Sequence, residues 1–411
     1  MRTRGTFVFL SIMVMVSLSS FSLYKEVMAA DVIKVGVVVP LTGSFADEGT
    51  EMVRGVELFV EEVNGKGGLL GKKLEMVVGD VGDFSGEKIV SIGEKLVSRD
   101  KVDVIITQYL GGVIDVKTFG EYQIPYLNMD TSSLLANTLR ENPDKYRNVF
   151  QTCPTEEYYG DGTFDFIDRV FPKASGYKFP NQKIALVTQV RGYNDRISKR
   201  FRAVTKRSKW EIVVDEQTPA GTVEWGPVLS KIRQSNPAVI YFNDHLPQDE
   251  VAFLEQFHNN PVKSLIFMQY GPSNPAFINL AKTKSNGVFW GTATAFFGPR
   301  YEAWRQAYEK KYREKPGMGT AAGTYTTSLI WAEAVRKAGS EKNYKEVCRM
   351  LREYPYSFTG MVHVFHPETQ TVIQGEGLAP FAVYQIQDLK HQLVSPPIYA
   401  SAKIQIPAWL K

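Results

Sequence analysis

The sequence predicts an α/β protein of two lobes, each a doubly wound parallel sheet with helices on both faces. Two observations predict it. Short apolar runs of strand length alternate with stripes of helical period in two separate series, one over residues 33–128 and one over residues 183–290. The chain is also 411 residues long, more than a single hydrophobic core usually fills.

Ahead of the first series lies a leader. Arg2 and Arg4 precede an apolar run over residues 7–23 that serines interrupt, too short and too broken for a membrane span. The run ends in Lys25-Glu26 and then Val27-Met28-Ala29-Ala30, where small residues suit a signal peptidase cutting after Ala29 or Ala30. Residues 1–29 therefore read as a signal peptide. An anchor helix is the other reading, and no stop-transfer charge cluster follows to support it. With no cysteine near the junction to carry a lipid, the mature chain is expected free in solution outside the cytoplasm.

The first series opens with Ile33-Lys34-Val35-Gly36-Val37-Val38-Val39, a β-branched run of the kind buried on both faces of a parallel sheet. After the Pro40-Leu41-Thr42-Gly43 turn, Met52, Val53, Val56, Phe59, Val60 and Val63 recur at three and four, a helical stripe ending at Asn64-Gly65. A strand over 73–78, a helix over 87–98, a strand over 102–106, a helical segment over 112–122 and a strand over 126–128 follow. The second series reads strand 183–187, helix 195–206, strand 211–214, helix 228–234, strand 239–242, helix 249–258, and strands at 265–268 and 288–290. Helices over 301–312, 320–338 and 344–353, with strand-like stretches at 361–364 and 381–385, belong to neither series and must be shared between the lobes.

Ligands of open parallel sheets bind at the carboxyl ends of the strands, and two such sheets facing each other make a cleft that a hinge can close. Several classes are excluded. Arg2, Arg4, Lys25 and Glu26 leave with the leader, lowering the formal charge from +4 to +2, and the densest basic stretch, residues 196–209, reads as a solvated helix face, so nucleic acid is not an expected partner. There is no G-x-S-x-G, H-E-x-x-H or C-x-x-C pattern, the histidines lack metal-ligand spacing, and Gly65-Lys66-Gly67-Gly68 lacks the Gly-Lys-Ser/Thr ending of a phosphate loop. No catalytic residue, metal or cofactor is therefore expected. Cys153 and Cys348 either pair or stay as two buried thiols.

The stretch over 34–52, KVGVVVPLTGSFADEGTEM, is followed by Gly55, Glu61-Glu62-Val63-Asn64 and Gly67-Gly68-Leu69-Leu70-Gly71, then by Lys95-Leu96-Val97, Lys101-Val102-Asp103-Val104-Ile105 and Ile124-Pro125. Together these resemble the type I periplasmic solute-binding proteins of the leucine/isoleucine/valine-binding kind, the partners of ABC transporters. The resemblance implies a monomer that captures a small organic molecule, such as an amino acid or amide, between its lobes and delivers it to the transporter's membrane permease. It implies lobe one from 31–151 plus 292–374, lobe two from 152–291 plus 375–411, and three strands crossing between them. The same module acting as a sensor with a receptor is the alternative role, and a hydrolase a third.

By that resemblance the ligand is held by loops after strands. Lobe one offers Gln108, Tyr109, Leu110, Gly111 and Gly112, then Asp130, Thr131 and Ser132 beside Ser133. Amino-acid binders place small hydroxyl residues in the first of these loops to hold a carboxylate; here stand Gly111 and Gly112, and Asp130 adds negative charge. Asp130 and Thr131 also suit a helix N-cap. Where the family sets an aromatic before Gly49, this chain has Glu48 beside Asp47, able to pair a ligand ammonium or to serve the first turn of the following helix. Lobe two offers Tyr193, Asn243 and Asp244 with His245, and Gln269 and Tyr270, Asp244 standing in for the acid that meets an α-ammonium. Tyr109, Tyr193, Tyr270 and Trp290 would make a flat, partly apolar pocket, although such residues also fill cores and Trp290 on a strand reads more readily as packed. The intact mass of the exported protein is expected to place the N-terminus at Ala30 or Asp31 without added lipid; a mass retaining residues 1–29 would overturn the leader assignment.

Overall fold

The computed structural model describes residues 32–411 apart from Asp83, Tyr109 and Gly111, so the leader and these two loop residues of the expected site lie outside the described residues. The first lobe runs β1 (Ile33–Val39), α1 (Ala46–Gly65), β2 (Leu74–Asp80), α2 (Gly86–Glu94), β3 (Val104–Thr107), α3 (Ile114–Gly120), β4 (Tyr126–Asn128), α4 (Ser133–Glu141) and β5 (Val149–Gln151). These strands form an all-parallel sheet in the order β2-β1-β3-β4-β5. β1 is buried because it lies between β2 and β3 with helices on both faces, which is why its sequence is a continuous apolar run rather than an alternation.

The chain then passes to the second sheet through α5 (Glu157–Asp165) and α6 (Phe171–Ser175). It continues as β6 (Lys183–Gln189), α7 (Gly192–Thr205), β7 (Glu211–Thr218), α8 (Gly226–Ser235), β8 (Val239–Asn243), α9 (Pro247–Asn259), β9 (Leu265–Gln269), α10 (Pro275–Ala281) and β10 (Phe289–Thr292). It returns to the first lobe for α11 (Pro299–Tyr312), α12 (Thr320–Ala338), α13 (Tyr344–Glu353) and the short hairpin of β11 (Tyr356–Ser357) and β12 (Val362–His363). It ends in the second sheet with β13 (Ala382–Gln387) and β14 (Lys390–Ser395). The second sheet has the order β14-β13-β10-β9-β8-β6-β7. Its last two strands are antiparallel, so this sheet is mixed at one edge. The cause is topological: the chain re-enters where β10 finishes, pairing Ala382 with Thr292, and must run back.

Among the described residues the chain passes between the sheets three times, after β5, after β10 and before β13. The first and third passages lie side by side: Gln151 N–H donates to Gln370 O at 2.9 Å and Val372 N–H to Gln151 O at 3.0 Å. Phe381 wedges beneath two glycines, since a Cβ on Gly162 or Gly291 would stand 2.1 or 2.4 Å from its ring.

Most expected elements are present, the strands at 33–39 and 126–128 and the helices at 320–338 and 344–353 with the bounds read from sequence. β5, with three residues, and β14, with the polar start Lys390-His391-Gln392, carry no periodic signal and were not expected. α4, α5 and α6 likewise fall in a stretch with no predicted element. Cys153 and Cys348 are both buried free thiols, which decides between the two readings; the Cys153 thiol donates to Met129 O at 3.1 Å.

α12 is the axis of the first core. It is buried on nearly all sides, as a helix with apolar or small residues all round must be. It lies against α1, where Thr324 Oγ1 donates to Met52 O at 2.9 Å. A Cβ on Gly55 would stand 2.2 Å from the Ala321 carbonyl oxygen, so the two helices approach closely only because position 55 has no side chain. Gly55→Ala is expected to lower the unfolding free energy by about 1–3 kcal/mol in urea melts at unchanged slope; an unchanged midpoint would show that the helices separate without cost.

Candidate ligand-binding cleft

In each sheet the strand order reverses beside the first strand of its series, between β1 and β3 in one lobe and between β6 and β8 in the other. Such reversals open a crevice at the carboxyl ends. The loops after β1, β3 and β4 and those after β6, β8 and β9 stand at these ends, and Thr131 of the β4 loop reaches across to the tyrosines of the second lobe. Thr131 Oγ1 and Tyr193 Oη share a hydrogen bond of 2.5 Å, Tyr193 bonds Tyr270 Oη at 2.7 Å, and Tyr270 donates to Tyr159 Oη at 2.8 Å. Since Tyr270 gives its proton to Tyr159, Tyr193 donates to Tyr270 and Thr131 to Tyr193. Burial holds the Tyr193 and Tyr270 phenols protonated, their pKa values well above the ordinary tyrosine range.

Tyr270 sits at φ 71° and ψ −58°, a γ-turn conformation rare for a residue with a side chain and costing about 1–3 kcal/mol. Its carbonyl is held by Ser273, through N–H at 2.8 Å and Oγ at 2.7 Å. The strained turn brings the phenol to Tyr193 and Tyr159.

A second interlobe link was not visible in the sequence. Glu156, fully buried on the passage after β5, accepts from Ser133 N–H at 2.5 Å, from Ser133 Oγ at 2.8 Å, and from Arg196 Nε of α7. Arg196, expected on a solvated helix face, is thus an ion-pair partner; further along the same helix Arg200 pairs with Asp161 and Arg202 with Asp215. Glu156 escaped notice because its neighbourhood lacks periodicity, and nothing in Thr155-Glu156-Glu157 tells which carboxylate turns inward.

The other expected residues separate into those at the crevice and those used elsewhere. Asp130 is partly buried at the end of β4, its N–H donating to Asn128 Oδ1 at 2.7 Å and its carbonyl accepting from Gln151 Nε2 at 2.6 Å. Burial, with repulsion from Asp115 and Glu156, pushes its carboxyl up to about 8 against the pull of Arg196 and Arg191. Ser132, not Asp130 or Thr131, is the N-cap of α4, its Oγ accepting from Leu135 N at 3.5 Å. Gln108 has a buried Oε1 without a partner, and Gly112 lies in open space. Leu110 turns its side chain into the core with Val38, Val81 and Ile89, so only its backbone remains in the loop.

Glu48 lies in the first turn of α1, its carboxyl raised chiefly by burial. The ring that reaches the other lobe from this loop is Phe45, 6.3 Å from His245 and beneath the Arg191 guanidinium at 5.1 Å. Asp244 is fully buried. Its Oδ1 accepts from His245 N at 2.5 Å and Leu246 N at 2.9 Å, Oδ2 has no partner, and burial leads the causes that raise its carboxyl to about 7. His245, 5.1 Å from Tyr270, is lowered to about 3 by burial and then by the Arg191 charge, so it is neutral.

Two expectations are corrected, those for Asn243 and Gln269, and the core reading of Trp290 holds. Asn243 points inward, donating to Asn194 O at 2.8 Å and Ser198 Oγ at 2.7 Å, which ties α7 to β8. Gln269 ends β9 and donates to Gly291 O at 3.0 Å. Trp290 stacks on Tyr384 at 4.6 Å within the second core. All three sit on strands rather than beyond them, where neighbouring elements claim the side chain.

Two facing α/β sheets with paired loops at their carboxyl ends define a two-lobed binding protein. Residues 32–390 match the model of the family described as periplasmic binding protein, and the chain belongs to it. Leu/Ile/Val-binding protein homolog 7 of Brucella abortus (strain 2308) is 23% identical over 315 residues, covering 74% of this chain and 77% of the relative. Leu/Ile/Val-binding protein BraC3 of Rhizobium johnstonii is 23% identical over 346 residues, covering 82% and 88%. A crystal structure from Silicibacter pomeroyi assigned to a branched-chain amino acid ABC transporter superposes with TM-score 0.86 at 27% identity, covering 92% of this chain and all of that one. The isoleucine complex of LivJ from Streptococcus pneumoniae shares the fold, with TM-score 0.70, 20% identity and coverage of 89% and 100%. The family is one of solute-binding proteins outside the cytoplasm, and among the described residues no helix is long and apolar enough to cross a membrane.

Asp130 gives a pH test. Its native carboxyl keeps a proton up to about 8, whereas the unfolded chain releases it near the ordinary 3.8, so its contribution to stability is lost as pH rises between those values. Asp130→Asn is expected to gain on the wild type in urea melts at pH 8.5 relative to pH 5; an equal difference at both would refute the shift.

Proposed function

We propose that the mature chain is a monomeric periplasmic solute-binding protein, free of a lipid anchor. It closes its lobes over one small organic molecule, an amino acid, amide or related compound, and delivers it to the permease of an ABC transporter without altering it. Membership of the periplasmic binding protein family supports the role. The observation that carries it is the Thr131–Tyr193 hydrogen bond, which joins loops at the carboxyl ends of strands in opposite lobes. Lobe one then comprises 31–151 plus 292–374 and lobe two 152–291 plus 375–411, with Glu48, Gln108, Gly112, Asp130, Thr131, Tyr193, Asp244 and Tyr270 at the solute. The loop residues Tyr109 and Gly111 belong to the same proposal. Nucleic acid has no part in it.

Mass spectrometry of material released on denaturing natively purified protein is expected to yield one small molecule in near-equimolar amount. Re-addition should raise the melting temperature by mass action. Tyr193→Ala is expected to weaken binding by about tenfold or more, since it removes a buried aromatic from the centre of the contact. Equal affinity for this variant, or chemical conversion of the solute, would defeat the proposal.

A further inference from the structure

If the cleft is the solute site, its own hydrogen bonding constrains the solute's charge. A helix N-terminus attracts anions because its first N–H groups are unpaired and the dipole is positive there. α4 starts beside Tyr193, and its anion seat is filled from within: the Glu156 carboxylate takes the Ser133 N–H and hydroxyl and is neutralised by Arg196. Ser133 spends its proton on Glu156, Thr131 spends its own on Tyr193, and Ser132 caps the helix. The Ser133 N–H and the hydroxyl protons of Thr131 and Ser133, which would hold a solute carboxylate in this loop, are used.

Acceptors are left over. The Asp130 carboxylate makes no hydrogen bond or ion pair among the described residues, and the charges around it are Asp115, Glu156, Arg196 and Arg191. Across the crevice Asp244, fully buried, keeps Oδ2 unpaired, and Gln108 keeps Oε1 unpaired. Arg196 is committed to Glu156, which leaves Arg191, stacked over Phe45, as the guanidinium acting on Glu48, Asp130 and Asp244 together. One cation cannot satisfy three carboxylates, and a buried acceptor left unpaired costs about 1–3 kcal/mol, more if charged.

We propose that the solute presents a positively charged, multiply donating nitrogen group, an ammonium or amidinium, to Asp130, and that Asp130 with the internal anion Glu156 excludes anionic solutes. A carboxylate placed in this loop would meet the Glu156 anion and a second acidic group, Asp130; an ammonium or amidinium favours the ionised form of Asp130, meets a free acceptor and offers several N–H donors.

The test uses the mature protein in thermal shift and calorimetry with charge series on constant skeletons: benzamidine, benzamide and benzoate, then butylamine, butyramide and butyrate, with leucine alongside. The expected result is that the cation of at least one series binds, that the amide and acid of that series and leucine do not, and that Asp130→Asn weakens the cation about tenfold or more. Preference for an acid, an amide or leucine, an undiminished affinity in Asp130→Asn, or no cation binding at millimolar concentration would overturn the proposal. Glu156→Gln, which removes the internal negative charge and one of its two acceptor oxygens, is expected to admit benzoate or butyrate; continued exclusion of both counts against the internal-anion role. Tyr193→Ala separates the two readings. A compound that binds without Tyr193 defeats the cleft as the site, whereas one that needs Tyr193 but ignores Asp130 defeats only the charge assignment.

Discussion

The buried carboxylate of Glu156 is the constraint on which the geometry between the lobes depends. A charge with no exposure is tolerable only if it is paired and hydrogen-bonded, and its partners come from both sides: Ser133 at the start of α4 in one lobe and Arg196 on α7 in the other. Satisfying Glu156 therefore sets where α4 and α7 stand relative to each other. The chain of hydroxyls from Thr131 through Tyr193 and Tyr270 to Tyr159 then forms within that frame. The strain at Tyr270 is held by the Ser273 turn beneath it.

Two further features follow from how the chain is routed. Because it leaves the first sheet after β5, returns after β10 and leaves again before β13, the lobes share three covalent links, and the first and third are hydrogen-bonded to each other at Gln151. The hinge of the proposed closure runs through these three links. Each lobe meanwhile keeps its own buried apolar clusters, with Trp331 and Phe59 in the first and Trp225 and Trp290 in the second, so movement at the hinge need not disturb packing.

The crevice is unusual in its balance of charge. Asp130, Asp244 and Glu48 are raised by burial before any neighbour acts on them, and His245 is held neutral by the same desolvation with Arg191 beside it. Titratable groups moved towards neutral pH by burial in a cleft commonly mark a functional site. Here they are accompanied by buried Gln108 Oε1 and Asp244 Oδ2, which have no partner among the described residues.

The sequence by itself determined the elements that need only local information. The β-branched run of β1, the three-and-four spacing of α1, the uninterrupted small and apolar residues of α12 and the turn at Pro40-Leu41-Thr42-Gly43 each carry their structure in their period or backbone preference. Strand ends together with the family resemblance pointed to the loops to inspect, and Tyr193, Thr131, Asp130 and Asp244 stand in those loops. Tertiary structure alone decided what those side chains touch. Asn243 and Gln269 stand at strand ends as the others do, yet neighbouring elements take their amides. Glu156, Arg196 and Phe45 carried no signal because their partners are distant in sequence: Arg196 lies 40 residues from Glu156, while Ser133 meets Glu156, and His245 meets Phe45, from the opposite lobe. Period and propensity describe a chain against solvent; a contact between lobes depends on where the hinge sets them, and no local pattern records that.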